Sequence, residues 1–311
     1  RRCRCRLPRR ATVRGARHYA ANFSDEELES AVGYAHLHGV RVYVTVNVLV
    51  RDAELPPGVA RYLLHLYELG VDASWCRTSG VAALAREIVP DLTLHASTQM
   101  AIHNREGVAR AAREGLSRVV LARELTLAEI EDIAADAEAR GGIGIEVFAH
   151  GGALCYCYSG QCLLSSVIGG GRSGNRGMCA QPCRKPYRLV TAATDEYGRP
   201  KDLRARPGSD RYLLSTRDLS VYPRLGLLAR APVASLKIEG GRMRSVEYVA
   251  TVTDIYRRAL DAIAAGEDWS PSREDMRDLA LAFNREFTEG YILAPAISWH
   301  ATGPGTGASR S

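Results

Sequence analysis

Five of the eight cysteines lie between residues 155 and 183, in a stretch rich in glycine and arginine. Cys155, Cys162, Cys179 and Cys183 are separated by six, sixteen and three residues. Thiolates are soft ligands, and four of them in one loop suit a tetrahedral zinc ion or an iron–sulfur cluster. A structural zinc site usually takes two close cysteine pairs, whereas only the last pair here is close. The spacing therefore favours a cluster, with zinc as the alternative.

Three arginines flank these cysteines, namely Arg172, Arg176 and Arg184. Guanidinium groups at such a site offset the negative charge of a thiolate-bound cluster, or bind a carboxylate substrate through paired hydrogen bonds. Solvated loop arginines are the alternative interpretation for each one taken singly.

The chain around this stretch alternates helix and strand signals. Ser24 and Glu27 form a capping-box pattern, Gly39 is placed to end that helix, and the β-branched run 41–47 follows. The pattern predicts further strands at 71–76, 92–97, 118–122, 143–149 and 235–239, and helices near 57–69, 80–88, 104–114, 126–140, 245–265 and 272–287. Residues 191–211 are polar and predicted to be a loop.

Strands separated by helices predict an α/β fold with a parallel sheet. We expect a TIM-like (β/α)8 barrel, incomplete at its N-terminus, with a cysteine-rich excursion over residues 150–188; a doubly wound open sheet is the alternative. In such a barrel, the catalytic residues lie at the C-terminal ends of the strands. The polar residues at those ends are Thr45, Asn47, Ser97, Thr98, Gln99, Arg123, Glu124, Glu146, His150, Lys237, Glu239 and Arg242.

The basic charge belongs to one end of the chain. The net charge is +6, but eight arginines precede the first acidic residue, Asp25, so the rest sums to 6 − 8 = −2. A basic block of this kind is typical of a nucleic-acid-binding arm. No apolar run approaches the roughly 18 residues of a membrane span, so a cytoplasmic protein without membrane contact is expected.

Several stretches together resemble peptidase family U32, the collagenase-like proteases. The most specific are EVFAHGGALCYCYSGQCLLSS (146–166) and GNRGMCAQPCR (174–184); SLKIEGGRMRSVEYV (235–249), LHASTQMAIHN (94–104) and RVVLARELTLAEI (118–130) agree with them. The resemblance covers most of the chain between His18 and Tyr291.

This resemblance implies a TIM-like barrel and an oxygen-independent hydroxylase with a [4Fe–4S] cluster on Cys155, Cys162, Cys179 and Cys183. The oxygen donor implied is prephenate, a dicarboxylate, and Arg176 and Arg242 are our candidates for binding it. The implied targets are a tRNA wobble uridine, an rRNA cytidine or a quinone precursor. Glu239, Lys237 and His150 complete the predicted catalytic set.

Two alternatives stay open. A peptidase would need a nucleophile, and the chain has no HExxH or GxSxG motif, which leaves a cysteine with His150 near it in sequence. A non-catalytic scaffold, such as one subunit of a heterodimer, is the third class; a homodimer is equally compatible with the sequence.

The chain also departs from the family pattern. Glycine pairs or triplets at 151–152, 169–171 and 240–241 hold one residue more than expected. Codons for residues 74–80, read one base earlier, can give the family-like VMVQDLG, and residues 1–16 and 294–311 are similarly atypical. We hypothesise frameshifts there, which resequencing the DNA tests, and expect an atypical leader at 1–17, a barrel domain at 18–291 and an atypical tail at 292–311.

Overall fold

The computed structural model describes residues 2–3, 23–152, 161–169, 173–188, 190–205, 212–239 and 245–293. Strands and helices alternate along most of them, as the sequence predicts. The strands are β1 (Arg2–Cys3), β2 (Tyr43–Val46), β3 (Ala73–Cys76), β4 (Leu94–Ala96), β5 (Arg118–Val120), β6 (Gly144–Gly152), β7 (Val190–Thr194), β8 (Pro200–Ala205), β9 (Asp218–Ser220), β10 (Ser235–Ile238) and β11 (Phe287–Thr288). The helices are α1 (Asp25–Leu37), α2 (Ala60–Glu68), α3 (Ser79–Ile88), α4 (Arg105–Arg113), α5 (Leu127–Ala139), α6 (Leu164–Ile168), α7 (Leu225–Leu228), α8 (Val246–Ala264) and α9 (Arg273–Ala282).

Local hydrogen bonds fix the helix starts. The predicted capping box at α1 is confirmed, since the Ser24 hydroxyl accepts from the Glu27 amide and the Glu27 carboxylate accepts from the Ser24 amide. Thr126 and Glu129 form a second box at α5. After α1, Gly39 adopts φ +64°, a left-handed conformation that ends the helix at the predicted residue.

The strand order follows the chain order. β1 to β6 are successive parallel neighbours, and β10 is also parallel to β6. β9 pairs antiparallel with the end of β6, and β11 is parallel to β9. A doubly wound sheet would reverse its strand order in the middle, so that alternative does not fit. The prediction of an α/β fold with a parallel sheet is confirmed.

The sheet is strongly curled. β3 and β10 are four strand positions apart, which on a flat sheet would separate them by about 19 Å. Nevertheless, the Lys237 Nζ of β10 lies 4.1 Å from the centre of the Trp75 ring of β3. Likewise, Arg118 of β5 lies 5.7 Å above the Tyr43 ring of β2. The strands therefore wrap around a shared interior, as in a barrel.

Two separate apolar clusters follow from that curl. The larger one packs the outer face of the sheet against the helices, for example Val44 and Leu94 against Leu63 and Val81. The smaller one, formed by Trp75, Val120, Phe148 and Leu219, fills the interior. In a strand, alternate residues point to opposite faces, so β3, β5 and β6 contribute to both clusters.

Three sequence expectations need correction. The predicted loop at 191–211 contains the antiparallel hairpin β7–β8, closed by Gly198 at φ +74° and by Asp195, which accepts from the amides of Tyr197 and Arg199. Both of its faces are exposed over β7, so no apolar alternation marks it. The predicted helix 272–287 ends at Ala282, before β11. Finally, the short β1 pairs with β2 where a strand was expected to be missing.

Among the helices that the structure describes, none combines the length and the apolar run needed to cross a bilayer.

Candidate functional site

Four of the polar residues predicted at the strand ends lie at one edge of the barrel. Because β2 to β6 and β10 are parallel, their C-terminal ends meet at that edge, which we call the rim. Thr45, Ser97, Thr98 and Glu239 are all buried there. Thr98 is fixed by its hydroxyl, which donates to the Leu121 carbonyl at 3.3 Å.

Below the rim, three charged side chains form an inner charge cluster. Lys237 Nζ lies 3.5 Å from Glu146 Oε1, and Arg118 Nη1 lies 3.5 Å from Glu146 Oε2. Lys237 and Glu146 are only 5% and 3% exposed. Two cations, Arg118 and Lys237, therefore lie beside one carboxylate in a shielded interior.

Aromatic rings enclose Lys237. Its ammonium group lies 4.1 Å from the Trp75 ring centre and 5.0 Å from that of Phe148. The His95 ring packs edge-on against Trp75 at 4.8 Å. Cation–π attraction is strongest where water is excluded, which stabilises a buried ammonium here. The sequence predicted Lys237 at the site but not these rings, which lie inside the strands.

The end of β10 lies tightly against the end of β6. The Glu239 amide donates to the His150 carbonyl at 2.8 Å. Gly151 adopts φ +125°, and a Cβ atom there would lie 3.2 Å from Glu239 Cα and 3.3 Å from Glu239 N, and would overlap its Cβ. Only glycine fits this approach, so one of the two glycines at 151–152 positions Glu239.

The cysteine segment, which we define as residues 161–169 and 173–188, is fastened to the rim at two places. At the first, the short 3-10 helix Gly174–Arg176 contacts the loops after β2 and β3. The Asn175 carbonyl accepts from the Leu49 amide at 3.0 Å and from Arg77 Nη1 at 2.5 Å. Neither Asn175 nor Arg77 was singled out in the sequence, although Asn175 stands in the GNRG stretch before Cys179.

Arg176 strengthens this first attachment. Its two terminal nitrogens donate to Glu54 at 2.7 and 3.1 Å, and one also donates to the Leu49 carbonyl at 2.9 Å. The hydrogen bonds with Glu54 hold the pKa of Arg176 above its usual value, against the opposing effect of burial. Arg176 thus positions the cysteine segment, and its predicted role in binding a carboxylate substrate stays a prediction.

The second attachment lies at the other side of the rim. Arg184 donates to the Ser215 hydroxyl at 2.6 Å and to the Thr216 carbonyl at 2.7 Å, just before β9. Because β9 begins opposite the end of β6, with Asp218 beside Gly152, this point also lies at the rim. The cysteine segment therefore extends across the rim from β2 and β3 to β6 and β9.

The described cysteines of the segment are Cys162, Cys179 and Cys183, all half-buried and none in a disulfide. Ser165, which is 1% exposed, accepts from the Ala180 amide at 3.1 Å, and its hydroxyl lies 3.7 Å from Cys179 Sγ. Thiolates have the right softness for an iron–sulfur cluster. However, the described residues contain no group of three or more His, Cys, Asp or Glu side chains placed to bind a metal. Cys155 and Arg242 lie outside the described residues, as does Arg172.

His150 and Cys76 lie in the protein core. His150 is 1% exposed; its Nδ1 is 3.2 Å from the Tyr256 hydroxyl, and its ring packs against Tyr248 and Phe287. Burial raises the pKa of Tyr256, so that hydroxyl stays protonated. Burial also raises the pKa of Cys76 to about 12, which leaves a protonated, unreactive thiol. In this arrangement neither residue is open to a substrate.

A pocket beyond β5 and β6 opens beside the rim. Its cavity volume is only about 20 Å³, and it is lined by Arg123, Phe148 and Tyr291 among others. The Arg123 guanidinium lies 5.1 Å from the Phe148 ring centre. The predicted rim residue Arg123 thus faces this pocket.

The model of peptidase family U32 matches residues 11–300. The 23S rRNA 5-hydroxycytidine C2501 synthase of Escherichia coli K12 is 41% identical over 286 residues, which are 92% of this chain and 39% of that protein. The tRNA hydroxylation protein P1 of Bacillus subtilis 168 is 34% identical, covering 89% of this chain and 63% of that protein. The collagenase of Porphyromonas gingivalis W83 is 33% identical, with 94% and 69% covered.

The chain therefore spans between two fifths and two thirds of the length of the two hydroxylation relatives. Among solved structures, that of a U32 peptidase is 14% identical, with a TM-score of 0.41 over 73% of this chain and 80% of that one.

Proposed function

Because the chain belongs to peptidase family U32, we propose that it takes part in hydroxylating a pyrimidine base of tRNA or ribosomal RNA. The observation that carries this proposal is the 41% identity with an rRNA 5-hydroxycytidine synthase over 92% of this chain. A second relative, 34% identical, is named for tRNA hydroxylation. We also propose a cytoplasmic location, because the proposed substrate is tRNA or ribosomal RNA.

The proposed reaction replaces the hydrogen on C5 of the pyrimidine by a hydroxyl group. The base loses two electrons and gains one oxygen atom, so a donor must lose a hydroxyl oxygen and gain two electrons. With a donor written R–OH, the exchange of R–OH and base–H for R–H and base–OH balances atoms and electrons. The donor proposed is prephenate, a hydroxylated dicarboxylate.

The site supports a negatively charged donor electrostatically. The inner charge cluster has two cations, Arg118 and Lys237, for one carboxylate, Glu146. At the rim, Arg77, 6% exposed, adds a positive charge and Glu239, 8% exposed, a negative one, so the cations still outnumber the carboxylates by one. In a shielded interior such charges act on an anion far more strongly than they would in water. Residues of this chain can therefore attract and orient a carboxylate close to the cysteine segment.

The cofactor remains part of the proposal. Cys155, Cys162, Cys179 and Cys183 would hold an iron–sulfur cluster, with zinc as the alternative, and such a cluster supplies electron-transfer chemistry when it is bound. Anaerobic purification followed by iron and acid-labile sulfide assays tests it directly. An iron-free protein containing stoichiometric zinc would refute the cluster.

The activity test combines anaerobically purified protein, prephenate and RNA that lacks the modification. We expect a pyrimidine nucleoside heavier by one oxygen atom, detected by mass spectrometry after digestion. Cys179→Ala should abolish the product, whereas Cys76→Ala, in the outer apolar cluster, is the matched control that keeps it. A wild-type protein that contains iron and yields no heavier nucleoside would refute the proposed reaction.

A peptidase is the second candidate, supported by the 33% identity with a collagenase. It needs an accessible nucleophile and base, whereas His150 is 1% exposed and bonded to Tyr256. Cleavage of gelatin by the wild-type protein that is lost in His150→Gln would favour this candidate. A protein active in neither assay would instead favour the scaffold interpretation, with a homodimeric or heterodimeric partner.

A further inference from the structure

Three polar atoms at the rim are buried without a hydrogen-bond partner among the described residues. They are the Thr45 hydroxyl and the side-chain carbonyls of Asn47 and Asn175. Thr45 and Asn175 are only 7% and 5% exposed. Burying such a group unpaired destabilises a fold, because its hydrogen bonds to water are lost without replacement. A ligand that supplies those bonds would explain why they are there.

The three groups belong to segments that meet at the end of β2. Thr45 lies two positions after Tyr43, so its side chain shares the inner face of that strand, and Asn47 follows directly after the last strand residue, Val46. The cysteine segment brings Asn175 close to the same strand end, because the Asn175 backbone carbonyl accepts from the Leu49 amide at 3.0 Å. The groups therefore lie between the interior of the barrel and the cysteine segment.

The chemistry of these groups indicates what they bind. The unpaired atoms of the two asparagines are acceptors, and the unpaired Thr45 hydroxyl can donate or accept. That combination matches the edge of a nucleobase, where ring N–H or amino groups adjoin carbonyls. A carboxylate offers acceptors only and would leave the asparagine carbonyls unpaired.

We infer that Thr45, Asn47 and Asn175 form the subsite that reads the hydrogen-bonding edge of the target pyrimidine. The inference rests on the proposed function, because it assigns residues to the RNA base. Asn175 also lies close to the predicted cluster ligands along the chain, since it precedes Cys179 by only four residues. A base held here lies beside the cysteine segment, where the proposed chemistry takes place.

The test uses Thr45→Val, which keeps the side-chain shape and removes the hydroxyl. Binding of the whole protein is measured by fluorescence anisotropy at one salt concentration, because phosphate contacts depend on salt. The probes are a single-stranded oligopyrimidine RNA, an oligopurine RNA and an abasic strand of equal length. We expect Thr45→Val and Asn47→Ala each to weaken oligopyrimidine binding by roughly 3- to 10-fold, as for one lost hydrogen bond. Binding of the abasic strand should be unchanged.

Stability provides a second readout. An unpaired buried hydroxyl contributes nothing to the free protein, so Thr45→Val should keep or raise the urea midpoint. Thr98→Val is the matched control, since Thr98 is equally buried at the rim but donates to the Leu121 carbonyl. That control should lower the midpoint.

Each remaining outcome overturns the inference. If Thr45→Val lowers the midpoint as Thr98→Val does, the hydroxyl has a structural role. If the variants bind the oligopyrimidine like wild type, the base lies elsewhere, although the proposed function stands. If oligopurine binding is as tight and falls equally, the subsite does not select pyrimidines. Failure of the wild-type protein to bind any strand would refute the proposed RNA substrate as well.

Discussion

Replacing Gly151 by alanine tests how closely β10 must approach β6. At φ +125° an alanine is strained by about 1–3 kcal/mol. Its Cβ would also overlap the Glu239 Cβ and lie 3.2 Å from Glu239 Cα, a backbone atom that cannot rotate away. Overpacking of this kind costs about 1–3 kcal/mol. We therefore expect Gly151→Ala to lower the free energy of unfolding by about 2–6 kcal/mol.

Urea unfolding followed by circular dichroism measures this change. With a slope on the order of 3 kcal/mol per molar urea, the midpoint should fall by about 1 M. Gly33→Ala is the matched control: Gly33 is exposed in the middle of α1, and a Cβ there would meet no atom within 4 Å. Alanine favours a helix interior over glycine by about 0.5–1 kcal/mol, so the control should unfold at higher urea.

The position also bears on function, because Gly151 holds Glu239 in place. A Gly151→Ala protein that unfolds within about 0.2 M urea of the wild type would refute the tight approach of the two strands. A destabilised variant with its RNA binding intact would show that Glu239 can move without consequence for that binding.

Three further predictions concern the described structure. Glu54→Gln should destabilise the fold by about 1–3 kcal/mol and speed tryptic cleavage within residues 161–188, because the paired bonds with Arg176 are charge-assisted and the two side chains are only 11–17% exposed. Glu286→Gln, in an exposed pair with Arg217, is the control. Equal cleavage rates for Glu54→Gln and the control would contradict the attachment of the cysteine segment through Arg176. Burial alone would raise the pKa of Asp72, but hydrogen bonds from His36 and the Val42 amide lower it overall. Its stabilising effect is therefore complete above the unfolded pKa of about 3.9 and is lost as the pH falls through the lower folded value. The urea midpoint of Asp72→Asn should lose part of that acid dependence, and an unchanged pH profile would argue against it. Finally, in folded protein from which bound metal has been removed, Cys76, with its pKa of about 12 and no exposure, should resist iodoacetamide at neutral pH while the half-buried Cys162 reacts. Peptide mass spectrometry measures both, and rapid labelling of Cys76 would contradict its burial.

The helices and strands around the barrel were largely predictable because their signals are local. Ser24 with Glu27, and Thr126 with Glu129, mark helix starts through bonds between residues three apart. The buried strands read as β-branched or apolar runs, and each was found within a few residues of its predicted bounds. The hairpin β7–β8 escaped prediction because its β7 residues are exposed throughout, so no alternation of apolar and polar residues marks it.

The candidate site was predictable only in part. Lys237 and Glu239 were expected at a strand end and are buried near the end of β10, whereas Glu146, expected at the end of β6, is buried near its start; the predicted roles of all three stay predictions. Arg176 was expected to face a substrate, and the structure shows it bonded to Glu54. Glu54 precedes Arg176 by more than a hundred residues, and no local sequence pattern predicts that the two side chains form a pair.

Residue types and their local spacing were enough to predict the alternation of helices and strands, the places where helices begin, and the concentration of thiols in one irregular stretch. These features depend on residue types and on interactions within a turn or two of chain. Only the packing of distant segments placed Trp75 beside Lys237, Asn175 against the loop after β2, and His150 against Tyr256. Those contacts arise because the sheet curls and brings distant strands together, and the direction and degree of that curl are properties of the whole packed sheet.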